Sequence, residues 1–165
     1  MNKIFKVGLI GCGHISETYF RGHDYFNNFQ IIKCADINQE NANKCAKTYN
    51  IQACSVEELL KDEEIDIILN LTIPRAHYEV AKQSLDHGKH VYSEKPMAVN
   101  FNEGEELLSL SKSKGLYIGN APDTFLGGGL QKSIDLINQD KIGNVRLGSA
   151  IFALSLIHIS EPTRH

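Results

Sequence analysis

The chain has 165 residues, 42% of them hydrophobic and 22% charged, with a formal net charge of −3. That length supports one domain with a proper core and leaves too little for a second full domain. The balance of charge argues against a nucleic-acid footprint, and no apolar run reaches the length of a membrane span.

The opening "MNKIFKVGLIGCG" carries the early lysine of an export signal but no small-residue cleavage site. It ends in a glycine motif and reads as a strand. Five short apolar runs then recur, at residues 4–10, 30–35, 66–71, 90–92 and 116–119. Each is rich in β-branched or aromatic residues, as strands buried on both faces of a parallel sheet are. Helical patterns fill the gaps. Residues 15–25 follow the glycine cluster. Residues 38–49 put Ala42, Cys45 and Ala46 on one face. Residues 74–87 begin at a proline and stop at Gly88, with Val80, Ala81 and Leu85 toward the sheet. Asn100 and Glu103 resemble a capping box for a helix running to Lys114, with Gly115 as its stop. The charge run "KDEEID" at residues 61–66 reads as a solvated turn. Strand and helix in alternation predict an α/β, doubly wound parallel sheet with right-handed crossovers.

Residues 11–16 read "GCGHIS", a G-x-G-x-x-S motif where a strand should end and a helix begin. The first glycine permits a tight turn, the second lets a pyrophosphate approach the backbone, and the helix N-terminus offers free N–H groups. Ser16 is small enough to keep helix and strand close. Asp36 ends the second strand, 23 residues after Gly13, where an acid would bond a ribose 2′-hydroxyl. Its alternative is a solvated loop acid. A carboxylate there favours NAD over NADP, because a 2′-phosphate would face it. A flavin or S-adenosylmethionine variant of the fold fits Asp36 less well.

The four cysteines, Cys12, Cys34, Cys45 and Cys54, form no C-x-x-C pair. Free thiols in a chain without an export signal suggest the cytoplasm. The seven histidines are scattered, so no metal site is expected. Cys12 reads as a small loop residue without chemistry of its own.

The segments "GCGHIS", "CADIN", "LTIPRAHYEVAKQSLDHGKHVYSEKPMA" and "IGNV" together resemble the Gfo/Idh/MocA family of NAD(P)-dependent oxidoreductases, over residues 3 to about 153. The resemblance implies that Gly11, Cys12, Gly13, His14 and Ile15 hold the pyrophosphate and that Asp36 holds the adenosine ribose. It implies that Thr72, Ile73, Pro74 and His77 line the middle of the cofactor. Glu94, Lys95 and Pro96 would border the nicotinamide, with Lys95 near the reacting carbon–oxygen bond. Read by itself, Lys95 is better taken as a surface lysine paired with Glu94; surrounded by the other motifs, it is not. The implied reaction passes a hydride between NAD(P) and a hydroxyl of a sugar, cyclitol or related compound. A non-catalytic NAD-binding sensor on the same fold is the alternative, although a sensor has no need of a lysine there.

After the sixth strand the sequence departs from the commonest family pattern, with "NAPDTFLGGG" at residues 120–129. Asn120, Asp123 and Thr124 either lie toward the substrate or serve turn chemistry. Residues 1–120 are expected as the dinucleotide-binding domain. Residues 121–153 are expected as a connecting helix and the first strand of a truncated α+β substrate domain. The tail at 154–165 contains "LSLIHISEPTR", which resembles a translated sequencing adapter and is set aside as non-native. The expectation is a cofactor-binding piece, inactive alone, of a homo-oligomeric parent enzyme with a small-molecule substrate and neither nucleic-acid nor membrane partners.

Overall fold

The first apolar run forms β1 (Phe5–Ile10), and its unbroken burial from Val7 to Ile10 sets it inside a sheet. Val7 and Leu9 join one buried cluster while Ile10 joins another on the opposite face. A strand buried on both faces belongs to a parallel sheet covered by helices. A computed structural model describes residues 3–23, 25–121 and 124–149, excluding the side chains of residues 23 and 124. After β1 come α1 (Ser16–His23), β2 (Phe29–Ala35), α2 (Gln39–Tyr49), β3 (Gln52–Ala53), α3 (Val56–Lys61) and β4 (Ile67–Asn70). Then follow α4 (Pro74–Asp86), β5 (His90–Ser93), α5 (Phe101–Lys114) and β6 (Ile118–Asn120). The strands lie in the order β3-β2-β1-β4-β5-β6, every neighbouring pair parallel. The order reverses at β1, which has β2 on one side and β4 on the other. In such sheets the ends of the strands at that reversal bound the ligand crevice.

The helix signals in the sequence are realised. Asn38 caps α2 by accepting from the Glu40 N–H, and Ala42, Cys45 and Ala46 are its buried residues. Pro74 opens α4, whose Ala81 and Leu85 are fully buried, with Val80 partly so. Asn100 and Glu103 form the capping box of α5, and Gly115 ends it at a φ of 66°.

Two elements, β3 and α3, escape the sequence reading. β3 has two residues, too few to show a period. α3 carries its own capping box, Ser55 with Glu58, and buries Leu59 and Leu60. The acidic residues that follow hide this short helix. Within "KDEEID", Lys61 closes α3, and Asp62 lies beside the Lys33 ammonium. That ammonium, ahead of the Glu64 N–H, holds the Asp62 carboxyl below the usual carboxylate range.

The described residues from 124 onward group as a compact unit distinct from those before them. In it a single 3-10 turn (Thr124–Leu126) leads into α6 (Gly128–Asn138), the helix expected there. The strand expected after Gly143 is not formed over residues 144–149. A strand needs a neighbour for its backbone hydrogen bonds, and the described part of this unit holds no other strand. Residues 150–153 and the tail at 154–165 lie outside the described residues. Among the described residues no helix is long and apolar enough to cross a membrane.

Candidate functional site

The chain leaves β1 by a turn only glycine can make. Gly11 sits at a φ of 103°, and a Cβ there would lie 2.6 Å from the carbonyl carbon and oxygen of Leu71. Its N–H donates to the Ala35 carbonyl at 2.9 Å, and the Leu71 N–H donates to the Ile10 carbonyl at 2.8 Å. The ends of β1, β2 and β4 are thereby drawn together. Gly13 differs: a Cβ there would meet nothing within 4 Å. It lies exposed before α1, with Ser16 Oγ donating to its carbonyl at 2.7 Å. His14 and Ile15 are exposed beside it, and Ser16 is buried as a close helix–strand contact requires. Asp36 folds back over this loop. One carboxylate oxygen accepts from the Cys12 N–H at 2.7 Å and the other from the Asn38 N–H at 2.8 Å.

These features fit a dinucleotide. Open space stands where a second-glycine Cβ would project, the first N–H groups of α1 lie beside it, and a fixed acceptor ends β2.

At the end of β4, Asn70 is fully buried and makes four hydrogen bonds. Its amide nitrogen donates to the His77 carbonyl at 3.0 Å and Ser93 Oγ at 3.2 Å. Its oxygen accepts from Thr72 N at 3.3 Å and Thr72 Oγ1 at 2.6 Å. The sequence shows Asn70 and Ser93 only as polar residues ending apolar strands, and their pairing depends on the register of β4 with β5. His77 is 1% exposed. Its ring nitrogens face the Pro96 carbonyl at 2.5 Å and the Thr72 carbonyl at 2.8 Å. The ring is buried between the two loops it joins. Thr72 is half-buried, whereas Ile73 and Pro74 are exposed at the start of α4.

Beyond β5, Lys95 and Pro96 are exposed and the peptide between them is cis. Glu94 accepts from the Tyr19 hydroxyl at 2.8 Å and from the Lys95 N–H at 3.1 Å. Tyr19, four residues after Ile15 on α1, was not apparent from the sequence; its helical spacing from the glycine loop is the signal that could have found it. Asn120 donates to the Ser93 carbonyl at 3.1 Å and the Glu94 carbonyl at 2.9 Å, bracing this turn from β6. Asp123 and the side chain of Thr124 lie outside the described residues. A cleft of about 380 Å³ is lined by Ile15, Thr18, Tyr19, Glu94, Lys95 and Ala121, among others. It joins the glycine loop to the lysine.

Behind the loop, structure brings together what sequence did not. The sulfurs of Cys12, Cys34 and Cys45 lie within 4.8 Å of one another. Their separations of 22 and 11 residues carry no motif, since the turn after β1, β2 and α2 each supply one. Hydrogen bonds from the Cys12 thiol, then the Cys34 thiol, draw the Cys45 pKa down, while its contacts with Cys34 and Cys45 push that of Cys12 up.

Strand order, glycine turn and the acid ending β2 define a dinucleotide-binding domain of the doubly wound class. The profile of the Gfo/Idh/MocA oxidoreductase family, NAD-binding Rossmann fold, matches residues 5–121. The chain belongs to that family. Glucose-6-phosphate 3-dehydrogenase of Bacillus subtilis is 33% identical over 117 residues, covering 67% of this chain and 33% of the relative. Trans-1,2-dihydrobenzene-1,2-diol dehydrogenase of Mus musculus is 29% identical over 162 residues, 96% of this chain and 49% of the relative. Biliverdin reductase of Synechocystis sp. PCC 6803, solved with biliverdin and NADP+, superposes with a TM-score of 0.71 at 28% identity, over 81% of this chain and 42% of that one. The chain spans less than half the length of each of these proteins.

Proposed function

We propose that this domain is the cofactor half of an oxidoreductase that moves a hydride between a nicotinamide dinucleotide and a hydroxyl-bearing carbon of a sugar, cyclitol or related compound. One observation carries the reading: Ile15 of the glycine loop and the pair Glu94–Lys95 line one cleft. Two relatives support the substrate class, being named for a sugar phosphate and a diol.

The bound cofactor supplies or takes up the hydride. Gly11 to Ile15 cradle its pyrophosphate, and Asp36 accepts from the adenosine ribose. That carboxylate already accepts two backbone N–H groups, which fixes it against a 2′-phosphate and favours NAD. Asn70 and His77 position the Thr72–Pro74 and Glu94–Pro96 turns, which line the rest of the cofactor. Lys95 presents its ammonium to the substrate oxygen, steadying charge there and passing a proton as the oxygen gains or loses one. Glu94, tied to Tyr19, holds the turn that carries the lysine. Asn120 braces the same turn on its substrate side. The remainder of the substrate pocket is supplied by the part of the relatives' length that this chain does not span, so the chain alone binds dinucleotide and turns over little.

The test has two parts. Titrated with NADH, the 165-residue chain should bind it and show no appreciable turnover of polyols or sugars. In the protein extended to the length of its relatives, Lys95→Met should keep NADH affinity and lower kcat by roughly a hundredfold or more. An undiminished kcat removes Lys95 from the chemistry, and turnover by the short chain removes the need for a second domain.

A further inference from the structure

We infer that Cys12, Cys34 and Cys45 form a binding site for a soft, three-coordinate metal ion, and that monovalent copper is the ion it takes. The site stands on the thiols alone and does not depend on the hydride-transfer reading.

Three sulfurs within 4.8 Å of one another can close on a single centre. Three sulfurs in a plane around an ion at about 2.3 Å stand about 4 Å apart, so closure asks for shifts of less than about 1 Å. Among the described residues no His, Asp or Glu joins the group. Zinc in structural sites takes four ligands in a tetrahedron; three thiolates without a fourth protein ligand suit Cu(I), for which soft sulfur ligands select.

The surroundings agree. Cys34 is fully buried, Cys45 is 7% exposed and Cys12 is half-buried, so a bound ion would be covered on the sheet side. The thiols of Cys12 and Cys34 are aimed by contacts to the Ala35 carbonyl at 3.6 Å and the Ala42 carbonyl at 3.5 Å. Those contacts give way when the thiol protons leave. A route in exists as well: a cleft of about 530 Å³ between α1 and α2 reaches Cys12 and Cys45, past Asn41, Lys44 and Thr48. Binding forms three S–Cu bonds and releases the thiol protons to solvent, with no change of oxidation state. Since Cys12 is the middle residue of the glycine turn, an ion here would tie that turn to β2 and α2 from behind.

The test uses the reduced 165-residue chain without oxygen, with Cu(I) supplied against a competing bathocuproine chelator. One ion per chain should be retained, with near-ultraviolet thiolate-to-copper absorption. X-ray absorption at the copper edge should find three sulfurs. Cys12→Ala and Cys45→Ala should each weaken binding by a hundredfold or more, and Cys54→Ala should leave it unchanged. Circular dichroism of the copper-free variants checks that they fold; should either not fold, the sulfur count on the unaltered chain decides alone. Loss of the ion to the chelator, a count of two sulfurs, or equal weakening by Cys54→Ala would overturn the assignment.

Discussion

The two glycines of the turn after β1 should fail in opposite ways when given a methyl group. At Gly11 the new Cβ would stand 2.6 Å from the Leu71 carbonyl and 2.8 Å from the Thr72 nitrogen, both backbone atoms that cannot swing aside. The strained φ costs about 1–2 kcal/mol, and forcing the β1 and β4 ends apart adds about 1–3 kcal/mol. Gly11→Ala should therefore lose about 2–5 kcal/mol of the ~5–15 kcal/mol that holds a typical domain. With an m-value of about 2 kcal/mol per molar, its urea midpoint should fall by about 1–2.5 M. At Gly13 nothing lies within 4 Å and the φ is not in the left-handed region. Gly13→Ala should leave the midpoint unchanged or raise stability by about 0.4–1 kcal/mol. Its methyl group would occupy the space assigned to the pyrophosphate, so NADH affinity should drop by roughly tenfold or more. Urea melts and NADH fluorescence titrations on both variants separate the two roles. A folded Gly13→Ala that binds NADH like the unaltered chain refutes the pyrophosphate assignment. A Gly11→Ala of normal stability refutes the close-approach argument.

Other perturbations probe the acid, the core and the charged turn. Asp36→Ser should cut the preference for NADH over NADPH by roughly tenfold, because a carboxylate facing the 2′-phosphate is removed; paired titrations with the two nucleotides read it. Leu59 is fully buried against Gly8, so Leu59→Ala should cost about 2–5 kcal/mol in a urea melt. The Asp62 carboxyl is held below its ordinary range by Lys33 and then by the Glu64 N–H. The stability it contributes is present above the ordinary carboxylate pKa and is lost as pH falls through the lower native value. Asp62→Asn should thus cost about 1 kcal/mol near neutral pH, allowing for the partial exposure of the pair, and cost nothing once the pH lies below both values. A difference that grows on acidification would contradict this sign.

What the sequence made legible was whatever repeats along it or sits at a fixed spacing. The runs behind β1, β2, β4 and β5 show because apolar residues cluster in them, and α2, α4 and α5 show because their caps are local. The turn at Gly11 and Gly13 and the acid Asp36 were found because a glycine motif and a strand end lie a set distance apart. What stayed hidden depends on register or on chain segments meeting. Asn70 finds Ser93 only through the pairing of β4 with β5, and Tyr19 finds Glu94 across 75 residues. The cysteine cluster is hidden for the same reason. His77 shows the limit from the other side. The resemblance sets it along the middle of the cofactor, and no spacing in the sequence shows that its ring nitrogens face the carbonyls of Pro96 and Thr72.

The strand order has a consequence for how the domain holds together. Among the six strands, β1–β2, β2–β3, β4–β5 and β5–β6 are neighbours in sequence as well as in space; β1–β4 is the pairing that is not. Residues 5–53 and 67–120 are therefore two locally wound halves, joined along one seam. Along it Asp66 accepts from the Lys6 N–H at 2.9 Å and Lys3 Nζ at 2.6 Å, and at its far end the Leu71 N–H reaches Ile10. Such a long-range parallel pairing is the slow step in assembling a sheet. The crevice for the dinucleotide opens over the end of this same seam. A ligand that binds only the joined form draws the equilibrium toward it by mass action. The nucleotide would then act as a clasp between halves, and amide exchange in β1 and β4 should slow on its addition more than in β3 or β6.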